Sequence, residues 1–104
     1  MATQSIKRVI AGYKKALKET GFPKVKMYLF GSYARNEARP DSDIDLCLVS
    51  PAFQTDKRTY EKRAAIVAFH LDPRLEVVLA KPKQFRDDQL SPLYSHIRKE
   101  AIAV

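Results

Sequence analysis

Asp43 and Asp45 stand one residue apart where a polar stretch gives way to the apolar run Ile44 to Val49. Side chains alternate along an extended strand, so both carboxylates project from one face at the strand's start. Two like charges held that close are unfavourable unless something positive lies between them, and a hard divalent cation with oxygen ligands is the usual solution. Upstream, another apolar run ends at Phe30 and passes into Gly31-Ser32, with ten residues separating Ser32 from Asp43. Glycine lets the backbone approach a ligand closely, and a hydroxyl with an N–H at a helix start holds a phosphate. A metal between two aspartates beside a phosphate cradle means phosphoryl or nucleotidyl chemistry.

The elements that must position these residues are legible from pattern. Ile6, Val9, Ile10, Tyr13 and Leu17 recur on one helical face, with Lys7, Arg8, Lys14, Lys15 and Lys18 largely on the other. Thr3 or Ser5 is a candidate cap for this helix, and Gly21 with Pro23 stops it. Val25 to Phe30 reads as a first strand that delivers Gly31-Ser32 to its far end. Ser32 to about Glu37 reads as a short helix, ended by Asn36, which tolerates a left-handed backbone. Arg39 to Ser42 is a turn by composition, and Asp43 to Val49 a second strand. For the glycine-serine pair and the aspartates to share a site, the two strands must be antiparallel neighbours.

Ser50 to Asp56 reads as a loop, followed by a long helix with Tyr60, Ala64, Val67, Ala68 and Leu71 on its inner face and Pro73 closing it. Leu75 to Ala80 is a third strand, and the helical crossover is long enough for it to run parallel to the second. Glu76 then falls level with Asp43 and Asp45. The segment from Lys81 to Pro92 is polar with one short helical turn, and Leu93, Ile97 and Ala101 mark a weak face on a final helix. The fold expected is α/β: a small mixed sheet of about three strands flanked by helices, in one domain over residues 1–104.

Charge and composition bound the function. The net charge of +7 favours anionic ligands such as nucleotides, RNA or an acidic surface. No apolar run approaches the ~20 residues that cross a bilayer, so no membrane role is expected. The single cysteine, Cys47, excludes an intrachain disulfide and reads as a small buried hydrophobe. The basic N-terminus superficially suits a presequence, but its helical periodicity favours a folded element, and the cytoplasm is the expected location.

The combination of Gly31, Ser32, Asp43 and Asp45 at this spacing resembles the nucleotidyltransferase signature of the DNA polymerase β superfamily, in the form found in minimal nucleotidyltransferases (MNT proteins). Tyr33-Ala34-Arg35 and Ser42 extend the likeness. The resemblance implies the nucleotidyltransferase fold, with Asp43 and Asp45 holding Mg²⁺ against the triphosphate of ATP. It also implies a second Mg²⁺ on Glu76, which helps deprotonate the attacking hydroxyl, and β and γ phosphates placed by Ser32 and the N–H groups around Gly31. The family more often has aspartate where Glu76 stands and glycine where Asn36 stands. Arg35 and Arg39 are second-tier phosphate binders, since loop arginines are more often solvated. His70 and His96 lack partners at metal-ligand spacing and read as structural or surface residues, and Tyr33 as a packing residue.

Minimal nucleotidyltransferases of this size often act beside a HEPN-domain toxin, as its antitoxin. The resemblance therefore implies transfer of AMP from ATP to a tyrosine of that partner, in a hetero-oligomer, because the chain has a catalytic core without an acceptor platform. Two alternatives stay open: a non-catalytic antitoxin that neutralises by binding, or a nucleotidyltransferase acting on an RNA or small-molecule acceptor. A simple RNA-binding module rests on net charge alone and lacks interleaved aromatics.

Overall fold

A computed structural model describes residues 4–87, 89 and 91–104. The order of elements is α1 (Gln4–Glu19), β1 (Lys26–Phe30), β2 (Ile44–Val49), α2 (Phe53–Leu71), β3 (Leu75–Ala80), α3 (Pro82–Arg86), α4 (Pro92–Glu100) and β4 (Ile102–Ala103). The strands form one mixed sheet in the order β3-β2-β1-β4, with β1 antiparallel to β2 and to β4, and β2 parallel to β3. The antiparallel and parallel pairings inferred from the shared site and the crossover length are both present.

β2 is the centre of the sheet and is apolar on both faces. Ile44, Leu46 and Leu48 enter a core with Ile6, Ile10, Tyr13 and Leu17 of α1 and Ala64 and Ala68 of α2. Cys47 and Val49 point the opposite way, into a second core with Phe85 of α3 and Tyr94 and Ile97 of α4. Helices therefore cover both faces, which is why β2 lacks the polar alternation of a half-exposed strand. Two tyrosine hydroxyls pin the helices: Tyr13 of α1 donates to the Ala64 carbonyl of α2 at 2.8 Å, and Tyr94 of α4 to the Leu79 carbonyl of β3 at 2.7 Å. Burial pushes the Cys47 thiol up to about 12, consistent with an inert packing group.

α1 stops as its sequence dictates. Gly21 adopts φ +76, the Gly21 N–H bonds to the Lys18 carbonyl, and the Phe22 N–H bonds to that of Leu17. This is a Schellman closure, which needs a left-handed residue at its turning point. The same device ends the segment after Ser32. Asn36 has φ 60, with Asn36 N–H bonded to Tyr33 and Glu37 N–H to Ser32. Only a single turn fits before the closure, so the short helix expected over 32–37 is a turn instead.

Other expectations also need correction. The second strand begins at Ile44, leaving Asp43 in the preceding loop. Ser5 lies within α1 rather than at its start, and Thr3 lies outside the described residues. α2 starts at Phe53, but Asp56 has non-helical angles and its carboxylate accepts the Thr59 N–H, so the long regular segment is capped at Asp56. Leu71 is 44% exposed, lying over Gly12 of α1 rather than in the core, while Ile66 and Phe69 are 57% and 70% exposed. Among the described residues the sheet has four strands, where about three were expected. Ile102 and Ala103 pair with Leu29 and Tyr28, and Ala101 terminates α4 instead of extending it.

The positive φ at Asn36 predicts the response to substitution there. Asn36→Gly should leave stability within about 0.5 kcal/mol, whereas Asn36→Val should lose about 1–2 kcal/mol. Urea midpoints at constant m-value test this difference.

Candidate active site

The site forms where β1 ends and β2 and β3 begin. Phe30 pairs with Asp45 on one side of β2, and Asp45 pairs with Glu76 on the other. Asp45 and Glu76 share the face of Cys47, Val78 and Ala80, toward α3 and α4 but beyond the core that those helices cover. Gly31 follows Phe30 directly, so the carboxylate of Asp45 comes to rest against its backbone. A Cβ at Gly31 would lie 2.1 Å from Asp45 Oδ2 and 3.0 Å from its Cγ. Gly31 also has φ +76. Glycine is required here twice over, once for conformation and once for room.

The loop that carries Asp43 is held from both ends. Ser42 Oγ accepts the Arg39 N–H at 2.8 Å, and the Ser42 N–H returns to the Arg39 carbonyl at 3.0 Å. The buried Tyr33 donates its hydroxyl to the same Arg39 carbonyl, confirming a packing role. From β3's side, Arg74 Nη1 donates to the Pro40 carbonyl at 3.1 Å while its other nitrogens grip Asp72, at 2.8 and 3.1 Å. The Arg74 carbonyl in turn accepts the Ile44 N–H. Arg39 acts here through its backbone, and its side chain is exposed.

Electrostatics join the acids into one field. Burial, followed by the charges of Asp43 and Glu76, holds the Asp45 carboxyl above its ordinary range, with Arg35 opposing and Glu100 adding to the rise. Asp43 and Glu76 are exposed. Among the described residues no three His, Cys, Asp or Glu side chains converge on one point as a metal cluster. The donors are nonetheless all carboxylate oxygens, and a half-buried aspartate crowded by like charges suits a hard divalent cation better than a soft metal. Asp43 and Asp45 are the residues that would hold such an ion, with Glu76 paired to Asp45 across the sheet.

Glu100 is the site residue that sequence reasoning missed. Its Oε1 accepts the Gly31 N–H at 3.0 Å and its Oε2 accepts Arg35 Nη1 at 3.0 Å. Burial works to raise its carboxyl, but Arg35 and the Gly31 N–H outweigh that and hold it below the usual range. The one sequence signal was an acid in the last turn of a helix, where the macrodipole disfavours negative charge. His96 is exposed and lies 3.9 Å from Glu100, while His70 is exposed on α2 beside Phe69. An apolar cavity of about 370 Å³ lined by Lys24, Tyr28, Val49 and Phe85 sits at the other end of β1, where Lys26 pairs with Val49, away from the acids.

Residues 10–104 match the family model of the nucleotidyltransferase domain, and the chain belongs to that family. Its fold is similar to the crystal structure of a presumed nucleotidyltransferase from Sulfolobus solfataricus, with a TM-score of 0.58 and 17% identity over 99% of this chain and 87% of that one. At that identity the likeness is one of fold. No curated protein sequence matches the chain. Family and fold together support nucleotidyl transfer as the general activity, and no described helix is long and apolar enough to cross a membrane.

Two consequences are measurable. Gly31→Ala should lower stability by about 2 kcal/mol or more, from the left-handed backbone and the collision with Asp45, read as a shift in urea midpoint. Asp45 titrates above its unfolded range, so its ionisation opposes folding. That penalty is absent at low pH, where the group is protonated in both states, and grows as pH rises through the folded value. In EDTA, Asp45→Asn should therefore melt higher than the wild type at about pH 7, with the gap closing by about pH 3.5.

Proposed function

We propose that this chain is a Mg²⁺-dependent nucleotidyltransferase that takes ATP and transfers AMP to a protein partner. The observation that carries the reading is the meeting of Gly31 with Asp45 at the end of β1, level with Glu76. In this reading Asp43 and Asp45 hold one Mg²⁺ and Glu76 a second. Bound there, the ions would polarise the α-phosphate and offset charge on the departing pyrophosphate. The N–H groups of the Gly31-Ser32 turn and the Arg35 guanidinium receive phosphate oxygens, with Arg39 at the rim. Glu76 accepts the proton of the attacking hydroxyl.

The acceptor in this reading is a tyrosine of a HEPN-domain toxin, which makes the chain its antitoxin in a hetero-oligomer. The resemblance motivates that partner, and the exposed Ile66 and Phe69 of α2 are consistent with a surface that a second protein covers. Neutralisation by binding alone would be favoured by a Glu76 on the opposite face from the aspartates. Its shared face with Asp45 supports chemistry instead.

Incubation with ATP labelled at the α-phosphate, Mg²⁺ and the HEPN-domain protein should move label onto that partner. Asp43→Ala with Asp45→Ala should reduce transfer at least about 10²-fold. Glu76→Gln should reduce it about 10²-fold or more while ATP still binds. A wild-type chain that inhibits the partner without labelling it would establish the binding-only reading.

A further inference from the structure

α4 ends in Glu100, whose side chain reaches the end of β1 and is only 16% exposed. Its two oxygens take the two donors best placed for an anion: the backbone N–H of Gly31, which opens the Gly31-Ser32 turn, and the guanidinium of Arg35, both at 3.0 Å. Two considerations oppose a carboxylate at this point. It sits at the negative end of a helix, and it is close enough to Asp45 for its charge to raise that group. The Gly31 N–H and Arg35 contacts, with His96 3.9 Å away, are the interactions that hold it. The location is an anion site, and an anion from the chain itself fills it.

We propose that Glu100 is a resident competitor for a phosphate of the nucleotide, and that triphosphate binding expels it from Gly31 and Arg35. The inference rests on the nucleotide-binding reading above. A ligand that binds only the vacated site has its apparent affinity reduced by the fraction of molecules in which that site is open. Expulsion also reaches the sheet edge, because Ala101 alone separates Glu100 from β4, whose residues pair with Tyr28 and Leu29 of β1. Occupancy of the phosphate site is thereby coupled to the C-terminal strand.

Calorimetric titration of the full chain with inorganic triphosphate and with ATP, both in Mg²⁺, tests the proposal against Glu100→Gln. If Glu100 occupies the site in about nine molecules of ten, the variant binds both probes about tenfold more tightly. Equal or weaker binding by a folded variant, with clear binding by the wild type, overturns the proposal and leaves nucleotide binding standing. Absence of binding by both folded proteins overturns the two together. A measurement on the wild type alone covers a variant that fails to fold: the Glu100 carboxyl ¹³C resonance should move toward the solvent-exposed value at saturating triphosphate, with shifts at the Ile102 and Ala103 amides. A Glu100 resonance unchanged at saturation overturns the proposal.

Discussion

The register of β2 between its two neighbours is the constraint on which the rest depends. Asp45 faces Phe30 across an antiparallel pair and Glu76 across a parallel one. A slip of one residue in either ladder would turn the acid to the opposite face, into the apolar core with α1 and α2. The burial of Ile44, Leu46 and Leu48 on that face makes such a slip costly. The hydrophobic pattern that packs the sheet is therefore also what aims the carboxylates.

The site concentrates negative charge at one end of a protein that is positive overall. Locally, the charges of Asp43, Glu76 and Glu100 act against the Asp45 carboxylate with Arg35 opposing them, and Arg35 is itself shared between Glu100 and Glu37. Such an arrangement is poorly balanced on its own and becomes favourable when a cation and a polyanion enter together, each neutralising what the other cannot. A hard cation and a polyanion are the ligand classes whose charges would offset such a site. Within the fold, the Glu100 carboxylate takes the donors of the anion position.

Much of the placement of the candidate site was legible because it is local. Gly31, Ser32, Asp43 and Asp45 lie within one strand-turn-strand unit, and only the antiparallel pairing had to be inferred. Glu76 was reachable because the length of α2 implied a parallel return. Glu100 was not legible: its partner Gly31 is 69 residues away, and no spacing rule connects the end of one helix to the end of a distant strand. β4 was hidden for a similar reason. Two residues carry no periodicity, and their strand character comes from the open edge of β1. The inner face of α2 is legible at Tyr60, Ala64, Val67 and Ala68, whereas Leu71 leans over Gly12 of α1, an outcome of how two helices cross.

By itself the sequence determined the long helices α1 and α2, the strands β1 to β3, the left-handed stops at Gly21 and Asn36, and the residue types of the candidate site, because these follow from local sterics and period. Tertiary structure alone decided that Gly31 must have no side chain where Asp45 lies, and that Glu100 closes on Gly31 and Arg35. Those are distances between segments remote in the chain. They are set by how the sheet and helices pack together, not by any one segment's own preferences.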